Sequence, residues 1–300
     1  MTNATAPTPA PASAVVSAAV SAAVSAGGVS VLIITKNEEG NLPGCLASVA
    51  WSDDIHVLDS GSTDRTREIA EAAGAHVAIR PFDDYSTQQN FALQNLPFRH
   101  QWVFSIDADE RATPELAAAI QKVPATAGAV VCFRVTRRDF FQGTWLKHVQ
   151  ATSSYQRVFI KNKMRYERLV HSIQIADGPV ADLEGYLDHE PFSKGISQWV
   201  ERHNQYSTFE ARMRHDDQGK PKHASLRTAL FARDLGVRRT HQKEIYYRMP
   251  LRPAVKFLWM YVWKWGFLDG RAGMAYSLLI AFYEYLIILK ERELARGGRS

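Results

Sequence analysis

Two carboxylates separated by one alanine, Asp107 and Asp109, follow the apolar run Trp102-Val-Phe-Ser-Ile106, and Glu110 comes directly after them. A strand that ends this way carries acid groups to a sheet edge. There they can hold a hard divalent cation together with phosphate oxygens and water. A second run, 54–58, leads into Asp59-Ser-Gly-Ser-Thr-Asp64 and places another carboxylate among small turn residues. Asp-x-Asp is also common in ordinary turns, so it carries weight only in company. Arg157, between Tyr155 and Phe159 in a strand-like pattern, is a lone charge that needs a partner. Arg134, Arg137, Arg138 and Lys147 read more simply as solvated surface charge.

The elements that must position these groups alternate. Residues 29–35 form a continuous apolar run rich in β-branched residues, as in a strand buried on both faces. A helix over 41–49, a strand over 54–58, and a helix capped by Asp64 and stopped at Gly74 come next. Strands over 77–79 and 102–106 follow, then a helix opened by Thr113 with Pro114 at its first position. This alternation predicts βαβ units in an α/β, Rossmann-like, doubly wound, mostly parallel sheet, with ligands at the carboxyl ends of the strands. Further strands are expected over 128–135 and 155–161, with 136–154 as an active-site loop, and a helix over 196–213.

The chain divides into an Ala/Ser/Pro leader over 1–28, expected to be disordered, a catalytic domain over 29–222 and a basic, amphipathic helical appendage over 223–300. With 300 residues, 46% of them hydrophobic, it can bury a full core. Its net charge of +5 suits nucleotides, phospholipids and nucleic acid alike. No helix-turn-helix, zinc or RNA-binding signature accompanies that charge, so nucleic acid is set aside. Cys45 and Cys132 fit neither a zinc site nor a disulfide framework and read as buried thiols. The appendage holds two aromatic-rich apolar segments, 254–265 and 276–289, interrupted by Lys256, Lys264 and Glu284. Neither offers the roughly 20 uninterrupted apolar residues of a spanning helix. Their Trp, Tyr and Lys residues, preceded by Arg238, Arg239, Lys243, Arg248 and Arg252, suit a headgroup boundary over anionic lipid. Helices packed on the core or across a homodimer would share this composition.

Taken together, Thr35-Lys-Asn-Glu-Glu39, Asp59-Ser-Gly-Ser-Thr-Asp64, Gln89-Asn90 in the next loop, and Asp107-Ala-Asp-Glu110 resemble the family 2 glycosyltransferases in order and spacing. The resemblance runs from about Val29 to Lys290, and is closest to the subgroup that adds a β-linked glucose to the inner core of bacterial lipopolysaccharide. It implies a GT-A fold and an inverting, metal-dependent transfer of a hexose from a UDP-sugar to a lipid-linked saccharide at the inner face of the cell membrane. Thr35, Asn37, Glu38, Asp59 and Asn90 would border the nucleotide. Asp107 and Asp109 would position the ribose and the Mg²⁺- or Mn²⁺-bound diphosphate, with Arg157 reaching phosphate.

Inversion needs a general base. The subgroup shows a Val-His-Glu segment where this chain reads Val170-His171-Ser172, so the expected carboxylate is replaced. His171 could take the role, with Glu167 and Glu190 as alternatives. The missing Glu also leaves open a polyprenyl-phosphate acceptor, which needs no strong base, or an inactive nucleotide-sugar-binding scaffold on the membrane. A nucleotidyltransferase is disfavoured, because the turn after the first strand is not a glycine-rich triphosphate loop.

Overall fold

The computed structural model describes residues 25–150, 152–167, 173–217, 225–249 and 251–297. In chain order the first half runs β1 (Ser25–Thr35), α1 (Leu42–Val49), β2 (Ile55–Asp59), α2 (Thr66–Ala72), β3 (His76–Ile79), α3 (Tyr85–Asn95), β4 (His100–Asp107), β5 (Glu110–Ala112) and α4 (Pro114–Thr126). It continues with β6 (Cys132–Phe141), β7 (Thr144–Trp145), β8 (Ser153–Ile160), β9 (Met164–Glu167), β10 (Ile173–Ala176) and β11 (Val180–His189). Helices α5 (Gly195–Asp217), α6 (Leu226–Phe231), α7 (Leu235–Arg248), α8 (Arg252–Leu258) and α9 (Gly270–Ala295) complete the described chain.

The main sheet has the order β3-β2-β1-β4-β8-β6-β11-β5, with β7 paired to β6. Strands β3, β2, β1 and β4 are parallel, as the alternation requires, and β6 and β11 are parallel to each other. Antiparallel β8 joins the two groups, and β5 runs antiparallel at the far edge. This is the mixed α/β sheet of a GT-A-like domain. Register matters for function: Thr35 lies opposite Asp59, and Ile34 opposite Asp107, so three motif-bearing strands end at one edge.

Alternation within β1 explains why both its faces are apolar. Val31 and Ile33 pack with Val57, Phe104, Ile106, Leu116 and Ile120 beneath α1 and α4, whereas Leu32 joins Leu58, Val103, Phe159 and Leu93 of α3 on the opposite face. Burying a Leu or Ile side chain fully contributes about 1.5–3 kcal/mol, so this double-sided run anchors the sheet. Thr113 caps α4 as expected, its Oγ1 accepting from Leu116 N at 3.3 Å. Both cysteines are buried and free.

Several boundaries differ from the sequence reading. Strand β1 starts at Ser25, four residues inside the expected leader, because Ser25 already pairs with His100 across an irregularity before Val29. Helix α2 begins at Thr66, and Asp64 instead turns back to accept from Thr66 N at 3.0 Å. Gln89 and Asn90 lie within α3, not in a loop, since Asp84 caps that helix by accepting from Thr87 N. Much of 136–154 is strand: β6 continues to Phe141, where β7 folds back on it.

The carboxyl-terminal helices are packed on the sheet domain. Phe141, Leu146 and Val149 form a third apolar cluster with Met260 and Ala272, with Phe192 and Tyr276 against it. Gly273 permits the tight turn into α9, since a Cβ there would lie 2.0 Å from the Gly266 carbonyl. Helix α5 runs against α9 through polar pairs: Lys290 donates to Asn204, Ser207 and Thr208, and Arg214 bridges Glu210 and Glu291. Glu284, read from sequence as an interruption, faces the buried Arg252 at 3.4 Å. With that charge turned inward, Gly266–Ala295 is long and apolar enough to cross a membrane by length and composition.

Candidate active site

The loops after β1 and β2 hold each other. Asn37 adopts a left-handed backbone (φ 55°), which Asn tolerates because its short side chain can bond locally. Its Oδ1 accepts from Thr63 N at 2.8 Å, and its own N–H donates to Ser62 Oγ at 2.8 Å. Glu38 N donates to Thr66 Oγ1 at 2.8 Å. Asp59 is fully buried; its Oδ2 accepts from Gly61 N at 3.1 Å and Ser62 N at 2.8 Å, while Ser62 Oγ donates to Oδ1. Gly61 sits at φ +84°, the conformation that lets the turn wrap this carboxylate. Thr35 is buried at the end of β1, and its hydroxyl has no hydrogen-bond partner among the described residues. Such an orphaned group at a strand end suits a ligand or water.

Across β4 lies a cluster of opposed charges. Arg157 on β8 donates through Nη2 to Asp107 Oδ2 at 2.8 Å and to Glu110 Oε1 at 2.7 Å, which supplies the partner its position demanded. Glu110 is fully buried and also accepts from Asp107 N at 3.0 Å. Burial pushes its carboxyl up to about 7 despite the opposing pull of Arg157. Burial disfavours charge on Arg157 as well, but Asp107 and Glu110 outweigh it and hold the guanidinium protonated. Arg157 is thus committed to the protein's own carboxylates in this state.

Asp109 faces a second chain of groups. His189, the last residue of β11, places Nε2 3.4 Å from Asp109 Oδ2 and Nδ1 2.5 Å from Asp139 Oδ1. Burial works against the imidazolium, yet the two carboxylates push His189 up to about 9, and the same contact holds Asp109 below the usual carboxylate range. Asp139 also accepts from Gln150 Nε2 at 2.5 Å, and Arg137 Nε lies 3.1 Å from it. Glu190 N donates to the Asp109 carbonyl at 3.1 Å, which ties the segment after β11 to the acidic turn.

Other sequence candidates are placed elsewhere. Asn90 spends its amide on the Tyr166 backbone (2.8 and 3.0 Å) and lines a separate groove with Lys161, Asn162 and Arg165. Glu167 is exposed on β9 and pairs with Arg165 at 3.0 Å. His171 lies outside the described residues. Arg134 and Arg138 form forked pairs with Asp182 and Asp188 of β11, so they serve the sheet. Sequence reasoning missed Glu110 as the partner of Arg157, and Asp139 and His189 as partners of Asp109. Residues 139 and 189 are 50 apart, and only the parallel pairing of β6 with β11 sets them opposite each other.

A divalent cation was tested against these residues. Among the described residues no three Asp, Glu, His or Cys side chains form a ready cage. Asp107 and Asp109 are both partly exposed, and Asp109 is held ionised. One or two carboxylates completed by diphosphate and water is how Mg²⁺ is commonly held, so the residues fit.

In open α/β sheets of this kind ligands bind where such loops gather at the carboxyl ends of adjoining strands. The chain matches Glycosyl transferase family 2 over residues 30–180, half of its length, and it belongs to that family: it is a glycosyltransferase. The lipopolysaccharide core biosynthesis glycosyltransferase LpsC of Rhizobium meliloti is 27% identical over 84% of this chain and 90% of its own. An uncharacterized glycosyltransferase of Rickettsia conorii is 42% identical over 96 residues, about a third of each chain. Among solved structures, glucosyl-3-phosphoglycerate synthase from Mycobacterium tuberculosis, in complex with Mn²⁺, UDP and glucosyl-3-phosphoglycerate, is 24% identical. That likeness covers 39% of this chain and 44% of the other, with a TM-score of 0.31.

Proposed function

We propose that this glycosyltransferase moves a hexose, glucose from UDP-glucose, with inversion onto a sugar of a lipid-anchored lipopolysaccharide core, while seated on the inner face of the cell membrane. The likeness to LpsC over most of both chains supports the acceptor class. The observation that carries the membrane reading is a path of contacts from an exposed aromatic turn to the acidic site. Trp259, Trp263 and Trp265 are at least half exposed in the turn between α8 and α9. Asp269, at the end of that turn, accepts from Val149 N at 2.8 Å and His148 Nδ1 at 2.6 Å, and Lys264 donates to the Val149 carbonyl at 3.0 Å. The next residue, Gln150, meets Asp139, which meets His189, which in turn meets Asp109. A lipid surface touched by the tryptophans would therefore lie within a few side chains of the reacting groups, where a lipid-linked acceptor must present its hydroxyl.

In this reading Asn37, Glu38, Thr35 and Asp59 form the nucleotide side, and Asp107 and Asp109 would hold a Mg²⁺ or Mn²⁺ ion, whose charge would offset that of the departing diphosphate. Glu190, held beside the Asp109 turn, is better placed as general base than exposed Glu167. It takes the proton from the acceptor hydroxyl as that oxygen bonds to the anomeric carbon and the bond to UDP breaks. The test is UDP release from a panel of UDP-sugars, with Mg²⁺ or Mn²⁺, with and without lipid-A-core acceptor, comparing wild type with Glu190→Gln. Acceptor-stimulated release from UDP-glucose, lost with chelator and reduced at least a hundredfold in the variant, is expected. Release only with polyprenyl phosphate would overturn the acceptor; no release with any acceptor would favour the inactive scaffold.

A further inference from the structure

Lys194 lies in the turn between β11 and α5, with Nζ 2.5 Å from Glu38 Oε1 and 3.5 Å from the Lys36 carbonyl. Beside it, Ser193 Oγ accepts from Asn41 Nδ2 at 2.8 Å, and the same amide donates to Glu38 Oε2 at 2.7 Å. The segment following β11 is thus latched to the loop following β1, although 156 residues separate Lys194 from Glu38. Under the latch is a cavity of about 340 Å³ lined by Glu38, Asp109, Ser193, Lys194, Gln198 and Arg202, with Glu201 further along.

The cavity is lined by acidic and basic side chains together. Glu38 and Asp109 come from the strand ends. Lys194 immediately precedes α5 and Arg202 lies two turns into it; the first turn of this 23-residue helix carries no acidic side chain, so none of its own residues offsets the positive end of its dipole. Arg202 is oriented by donating to the Pro191 carbonyl at 3.3 Å. The Lys194–Glu38 pair is partly exposed, 28% and 16%, and such pairs add little net stability and exchange partners readily. A diphosphate carries more charge than one carboxylate and offers several acceptor oxygens to an ammonium.

We propose that Lys194 is a diphosphate-binding residue whose ammonium passes from Glu38 to the donor when the nucleotide sugar enters the cavity, with Arg202 behind it. The inference rests on the nucleotide-sugar reading of the same site and adds a residue and a role to it. Exchange has two consequences. The ammonium opposes charge building on the leaving group, and the freed Glu38 carboxylate becomes available to the nucleoside.

The experiment is calorimetric titration of the full chain with UDP and, separately, with uridine, for wild type, Lys194→Gln, Lys194→Arg and Glu38→Gln, with circular dichroism confirming that each is folded. Lys194→Gln should weaken UDP binding at least tenfold while changing uridine binding less than twofold. Lys194→Arg should recover most of the loss, and Glu38→Gln should raise the ratio of UDP to uridine affinity. Equal weakening of both ligands in Lys194→Gln would show that Lys194 only braces Glu38 and would overturn the proposal. Unchanged UDP binding with a raised acceptor KM would also overturn it, placing the ammonium on an acceptor phosphate. Wild type that binds neither ligand would defeat the nucleotide reading itself, a different result from a variant that binds uridine normally and UDP normally.

Discussion

Around Asp107 the charged groups that reach the core are matched: Arg157 lies between two carboxylates, Asp59 is wrapped by its own turn, and His189 lies between Asp109 and Asp139. Around Trp259–Phe267 the opposite holds, and large apolar side chains are left in solvent above a turn that is itself firmly bonded beneath. On the proposed reading the first region receives a small anionic ligand and the second an external apolar phase. Each variant below should damage one region and spare the other.

Arg157→Ala should have the largest effect. It leaves Glu110 and Asp107 without their cation, and breaking a buried pair costs about 3–5 kcal/mol, read as a lower urea midpoint at unchanged slope. Asp109→Ala should lower kcat by about 10²–10³-fold, roughly 2.7–4 kcal/mol in the barrier, with little change in melting temperature or in vesicle binding. Asp269→Ala removes the acceptor of the His148 and Val149 bonds and leaves buried donors unpaired. It should cost about 2–3 kcal/mol and loosen both regions together, which protection of the Val149 amide against hydrogen exchange would show.

Asp54 tests the floor of the sheet away from both regions. Burial opposes its charge, but His56, Ser30 and the Arg99 amide outweigh that and hold its carboxyl well below the usual range. Its contribution is therefore present above the unfolded carboxylate value of about 3.9 and is lost as pH falls below it. Asp54→Asn should cost about 1–3 kcal/mol at pH 7 and flatten the acid limb of the stability curve. The smallest effect is at Trp263, 71% exposed. Trp263→Ala should change stability by less than about 0.5 kcal/mol yet weaken partitioning into anionic vesicles about tenfold, roughly 1.4 kcal/mol, in co-sedimentation. A variant that lowered stability as much as partitioning would blur the contrast between the regions.

Sequence made the parallel half of the sheet legible because local pattern and tertiary role agree there. The run 29–35 buries Val29, Val31, Leu32 and Ile33, with only Ser30 and Thr35 as buried polar positions, and Thr113-Pro114 carries both signs of a helix start. Asp59 and Asp107 were readable since each terminates such a strand, and Asp109 since it follows two residues later. Helix α3 was not, because its residues, Tyr85-Ser-Thr-Gln-Gln-Asn, are polar and its burial depends on Ala92 and Leu93 meeting β8 and β9. Nor was the role of Glu110 or His189. Each is defined by a partner on a distant strand, Arg157 or Asp139, and no local spacing reports that register.

The cluster formed by Phe141, Leu146, Val149, Met260 and Ala272 places tail residues inside the sheet domain's own apolar packing. The aromatic segment is consequently not a tether that a protease or a shortened gene could remove without harm. Cutting before α8 would strip the loop that carries Gln150 of its floor, so heat should melt the carboxyl-terminal helices and the sheet domain in a single transition, and, on the proposed membrane reading, loss of surface contact and loss of turnover would be inherited as one trait.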